Sequence, residues 1–134
     1  MDWMHFVAAV LVAGFAISLS DWLFMGVLFH NKYFQYPEIW RSTRGTGEGK
    51  SVFSSIVLGF FTALVFAAVC SQFGLHTYMS TLRLAMAIWL AAALPLILTY
   101  AVWIKFHPAV IASHSVGWLV RLSLAACTVS LILR

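Results

Sequence analysis

Charge is the scarcest thing in this sequence. Eight Lys or Arg and four Asp or Glu make up 9% of the 134 residues, against 63% hydrophobic ones. A soluble domain carries roughly a quarter charged residues, and one core of this size cannot bury so much apolar surface. Water is therefore not its solvent. Cysteine occurs only as Cys70 and Cys127, each inside an apolar run, which excludes a secreted disulfide framework. Counted along helices the two reach similar depth, so a cross-link is conceivable, but free cysteine is commonly a small core filler.

Several motifs are also missing. No HxxxH spacing offers a metal two ligands from one helix. No nucleophile stands beside a base, and Ser18, Ser20, Ser54, Ser55, Ser113 and Ser115 read as interhelical hydrogen-bonding residues, so no enzymatic activity is supported. The run "RGTGEGKS" ends like a phosphate loop, yet Arg44 stands where that motif needs glycine and no strand precedes it. A nucleic-acid partner is not expected either, because the basic residues sort by position rather than into a binding face.

What the chain does have is long apolar runs. Crossing a bilayer takes about 20 mostly apolar residues, and four stretches reach that: residues 3–29, 51–73, 81–104 and 109–133. They fill residues 1–134 as a single transmembrane domain, with one long connection over 31–50. The first run has Asp2 and no Lys or Arg before it and exceeds a signal h-region, so it reads as a retained span. The links around "GLHTYMS" and "KFHP" are short, which makes sequential helices antiparallel neighbours. The expected fold is all-α: an integral membrane four-helix up-down bundle whose partner is the lipid bilayer. Lys32, Arg41, Arg44, Lys50 and Lys105 sit on one side, Arg83 and Arg134 on the other. That bias puts the long connection in the cytoplasm of a bacterial inner membrane, with both termini outside.

The second span carries Ser55, Gly59, Ala63, Ala67 and Ser71 every fourth residue. Such a stripe lets backbones approach closely, and it marks a packing face toward another helix or a second copy. Self-association or attachment to a larger membrane complex through this stripe is expected. In the third span Pro95 should bend the helix, with Thr99 placed to cap freed backbone groups. In the long connection, Tyr33, Phe34, Tyr36 and Trp40 interleave with Lys32 and Arg41 as an interfacial segment does, and Pro37 suits a short turn. The glycines of "RGTGEGK" then read as a flexible linker.

Asp21 is the residue that needs explaining. It stands about 13 Å inside the cytoplasmic end of the first span, and Arg121 of the fourth span about 18 Å from the same face. A carboxylate at such a position costs roughly 2.5–3.5 kcal/mol, so it should face inward and find a partner. Arg83 and Lys105 can snorkel to water, which leaves Arg121 as the only other charge with nowhere obvious to go. Gly14, Ser18, Asp21 and Met25 fall on one side of the first helix, and His114, Gly117, Arg121 and Thr128 on one side of the fourth. Three readings stay open: a buried pair that only sets helix register, the centre of a polar cavity for an ion, proton or small polar group, or two charges with separate partners.

The candidate binding residues are Asp21, Arg121, His114, Ser18 and Trp22, which adjoins Asp21. The other tryptophans, Trp3, Trp40, Trp89, Trp103 and Trp118, suit interface anchoring or packing. His30, His107 and His114 approach one face and His5 and His76 the other. Two such layers would suit axial ligation of haem, although only His114 lies clearly inside.

The stretch "SDWLFMGVLFHNKYFQYPEIWR", within four spans of this length, resembles a family of small bacterial inner-membrane proteins carrying a domain of unknown function. The resemblance implies the four-span architecture and no activity, cofactor or site residue. The leading expectation is thus a non-enzymatic membrane module that binds or passes a small ion or amphipathic molecule near Asp21 and Arg121. Its rivals are an accessory subunit with no ligand of its own and a haem or quinone redox protein.

Overall fold

A computed structural model describes residues 2–33 and 48–133. The interfacial segment expected around Phe34, Tyr36, Pro37 and Trp40 lies outside the described residues, as does most of the glycine linker. Helix α1 (Trp3–Asp21) starts at Asp2, whose carboxylate accepts from the Met4 amide at 3.0 Å. It continues as a π-helical stretch, Trp22–Leu28, and a short α2 (His30–Tyr33) follows. Helix α3 (Glu48–Gln72) begins three residues before the expected Ser51 and takes in Gly49 and Lys50. Extending a formed helix adds one backbone bond per residue, which offsets much of the roughly 1 kcal/mol that a glycine costs.

Gly74 ends α3 at φ 65°, a left-handed turn that suits glycine. There the Leu75 amide donates to the Cys70 carbonyl at 2.8 Å, and Leu75 packs back on the core. Thr77 then caps α4 (Tyr78–Ile88), its hydroxyl oxygen accepting from the Ser80 amide at 3.2 Å. The third span therefore starts at Tyr78 rather than Thr81. A second π-helical stretch, Trp89–Ala93, leads into α5 (Leu94–Trp103). Pro95 lies just beyond it, so the wider turn relieves the clash of the proline ring with the preceding carbonyls. Thr99 does not cap those carbonyls; its hydroxyl donates to Pro95 itself, at 2.8 Å. Helix α6 (Pro108–Ile132) opens with proline in its first turn, and the His107 Nδ1 accepts from the Ala109 amide at 3.0 Å.

The described chain is helical without strands, and four of its helical runs are long and apolar enough to cross a membrane: Trp3–Leu28, Gly49–Gln72, Tyr78–Trp103 and Pro108–Ile132. The protein is a multi-pass membrane helical bundle. Helix α1 packs between α3 and α6, and α4 packs on the other side of α6. Sequential pairing holds for the first two spans and for the last two. Helices α3 and α4, though joined by a short link, are not one of the main packed pairs.

The core is built from small side chains. Ala9, Ala13, Ala63, Ala67, Ala85, Ala125 and Ala126 are all buried, with Phe6, Ile17, Phe66, Leu122 and Val129 filling between them. Large residues point outward instead: Phe15 and Phe53 are each 67% exposed and Trp103 83%. This arrangement fits lipid as solvent, where apolar burial between helices gains little and close backbone approach gains contacts.

The second-span stripe is used inside the chain. Gly59, Ala63 and Ala67 are buried, and a Cβ on Gly59 would stand 3.2 Å from both Ile17 Cγ2 and Ser18 Oγ of α1. Of the two partners the sequence left open for this stripe, the structure places α1 of the same chain against it, and only Ser55 at its start is exposed. Replacing Gly59 with Leu should force α1 and α3 apart and cost about 1–3 kcal/mol. A lowered melting temperature in detergent would show it. Gly49→Ala, with open space around its Cβ, should leave the melting temperature level or slightly raised.

Candidate functional site

The π-helical stretch begins one residue after Asp21. It is wider than an α-helix, and its Phe24 and Met25 line a pocket shared with α6. On α6, His114, Gly117 and Arg121 recur at helical spacing, and Trp118 lies three residues before Arg121. The Asp21 carboxylate accepts a charge-assisted hydrogen bond from the Arg121 guanidinium, joining the first span to the last. Only 12% of the Arg121 side chain and 18% of the Asp21 side chain remain exposed. The guanidinium carbon also lies 4.5 Å from the Trp118 ring centroid, a cation–π contact.

Beside this pair is a pocket of about 50 Å³, lined from α1 and its π-helical extension by Asp21, Phe24 and Met25 and from α6 by Ser113, His114, Gly117, Trp118 and Arg121. Its walls combine two opposite charges, an imidazole and a hydroxyl with aromatic and thioether surface. Of the residues singled out from sequence, Asp21, Arg121 and His114 meet here.

Ser18 and Trp22 do not line the pocket. The Ser18 hydroxyl donates to the Gly14 carbonyl at 2.8 Å and lies against Gly59 of α3. Trp22 is 61% exposed on the outside. Within α1, residues 14, 18 and 21 span an arc of about 60° at 100° per residue, and that arc straddles two neighbours: Gly14 and Ser18 lie against α3, while Asp21 bonds to Arg121 of α6. Met25, in the π-helical stretch, lines the pocket. Thr128, placed by spacing on the Arg121 face, bonds within α6 to the Leu124 carbonyl at 2.8 Å.

Phe24, Ser113 and the contact of Trp118 with Arg121 were missed as site features. The signal for the last was present, because a Trp three residues before an Arg on one helix lies on the same face. The same spacing holds for Phe24, three residues after Asp21, and was not used. Two interhelical bonds hold the third span on α6 nearby: Trp89 Nε1 donates to the Ser115 carbonyl at 2.8 Å, and the Thr81 hydroxyl donates to the Ala126 carbonyl at 3.1 Å. Cys70 and Cys127 are both free thiols. Among the described residues no three His, Cys, Asp or Glu side chains surround a common point that could hold a metal.

The family described as "Protein of unknown function (DUF1761)" matches residues 8–130, which includes every helix that builds the pocket. The chain belongs to that family. No curated protein and no solved structure matches it. The family assignment agrees with the architecture and brings no activity to the Asp21–Arg121 centre.

Breaking a buried pair strands one charge, at a cost on the order of 3–5 kcal/mol, whereas removing both does not. Asp21→Asn and Arg121→Leu should each reduce accumulation of folded protein in the membrane, and the double variant should restore it. Fluorescence-detected size exclusion in detergent measures all three.

A second ion pair lies at the start of α1, where the Asp2 carboxylate contacts His5. That contact, then the Met4 amide, hold the Asp2 carboxyl below its ordinary 3.8. A depressed carboxylate stabilises the fold above its unfolded value, and that contribution is lost as pH falls through the folded one. Carbon-detected titration should place Asp2 below 3.8, and the Met4 amide should lose protection from exchange as Asp2 protonates.

Proposed function

We propose that this chain is a non-enzymatic integral membrane module that binds or passes a small ion at the Asp21–Arg121 centre. The observation that carries this reading is the polar pocket beside the pair. Two charges that served register alone would need no adjoining space, yet here Ser113 and His114 share a lined volume with them. Ionisable groups within a membrane commonly mark ion or proton paths. The pocket's volume of about 50 Å³ suits waters or a small ion, so the amphipathic half of the sequence expectation has no support from it.

Basic residues on one side of the spans, Lys32, Arg41, Arg44, Lys50 and Lys105, support a bacterial inner-membrane location with both termini outside. Attachment to a second copy or a larger membrane complex stays part of the proposal. With the small-residue stripe occupied, it falls to the outward faces of α3 and α5, where residues 49–58 and 94–103 contribute nothing buried.

Ion flux into proteoliposomes under imposed H⁺, Na⁺, K⁺ or Cl⁻ gradients tests the reading. Wild-type protein should dissipate one of these gradients, and the Asp21→Asn/Arg121→Leu double variant, folded but without the charged centre, should dissipate none. Equal flux through both proteins would remove the site from the function.

A further inference from the structure

The ligand of the pocket can be narrowed from its charges, an inference that rests on the reading of this pocket as an ion site. Asp21 is already engaged by Arg121, so the pair carries no net charge. A metal cation finds no net negative charge at the pair, and an anion no net positive charge. A proton has an acceptor beside it. It can add to His114, which lines the same pocket and belongs to the one side-chain type whose ordinary titration falls between about pH 5 and 8.

The surroundings give such a step two resting states. Asp21 and Arg121 line the same pocket as His114, so a charge gained by the imidazole is felt by both. Arg121 has a second partner in the Trp118 ring, 4.5 Å from its guanidinium carbon, so it would not be stranded if the carboxylate turned away. The π-helical stretch after Asp21, which carries Phe24 and Met25, holds no buried residue.

We propose that the pocket's ligand is the proton, that His114 takes it, and that the resulting imidazolium competes with Arg121 for the Asp21 carboxylate. The proton comes from water and adds to a ring nitrogen. No covalent bond between heavy atoms forms or breaks, and Asp21 stays ionised. The three groups pass together from net charge zero to +1. No other titratable side chain lines the pocket. Of the elements packed on α6, α1 brings Asp21 to the lining, while His5 on α1, His30 and Lys32 on α2, Lys50 and Cys70 on α3, Tyr78 and Arg83 on α4 and Tyr100 on α5 lie outside it.

Tryptophan fluorescence of the protein in lipid nanodiscs, titrated between about pH 5 and 8, reads the switch through Trp118. One transition is expected in wild type and in His30→Gln, and it should vanish in both His114→Gln and Trp118→Phe. A wild-type measurement keeps the test independent of how the variants fold: ¹³C-labelled histidine and ¹⁵N-labelled arginine should show one imidazole and one guanidinium resonance moving with a common midpoint. If His114 does not titrate in this range, or titrates with no response from the arginine or Trp118, the proposal is overturned. Ion flux without the coupled titration would leave an ion site whose ligand is not the proton. The coupled titration without flux would keep the proton as ligand and remove passage across the membrane.

Discussion

Close approach of helix backbones is the constraint on which this structure depends. Lipid tails are as apolar as leucine, so helices in a bilayer gain little by hiding apolar surface from their surroundings. They gain by touching over a long seam. Alanines at positions 9, 13, 63, 67, 125 and 126, with Gly14 and Gly59, let α1 settle between α3 and α6. The approach is tight: a Cβ on Gly14 would stand 2.3 Å from the Phe60 ring. The bulky residues that would fill the core of a soluble protein are left for the outer surface.

A seam of alanines has little shape of its own, because one alanine fits against a neighbouring helix much like the next. Polar contacts supply the register that packing lacks. The Asp21–Arg121 pair ties α1 to α6. Thr81 and Trp89 tie the third span to α6 through the carbonyls of Ala126 and Ser115. Single hydrogen bonds between membrane helices contribute only about 0.6 kcal/mol on average, so these bonds select one alignment more than they hold the bundle together. Helix α6 takes part in every one of them.

The same helix is also where the two π-helical stretches converge. Phe24 and Met25 of the first meet residues 113–121 of α6 in the pocket, and Trp89 of the second bonds to Ser115 within that span. Turns of this type are rare, and when they occur they often sit at functional sites. Here each one interrupts a long helix beside the segment that carries His114. The Asp21–Arg121 pair, the pocket and both helix irregularities thus lie around two turns of α6.

Composition and spacing alone determined the class of molecule and the number of spans, and singled out Asp21 and Arg121 as the two charges that needed partners. Those follow from free-energy costs that any placement of the chain must meet: a bilayer accepts about 20 apolar residues per crossing, and a charge within it needs a partner. The same reasoning could not say which way each polar residue turned. Ser18 shares its stretch of α1 with Asp21 but faces α3, because one helical arc lies between two neighbours. The stripe from Gly59 to Ala67 could have served a second copy as well as α1, since small residues permit close approach without naming the helix that approaches. Phe24 stands three residues after Asp21, but the π-helical form of the segment that carries it was announced by no local pattern. Which helices touch, and therefore which side chains share a cavity, was decided by tertiary packing, where contacts between residues far apart in the chain outweigh local preference.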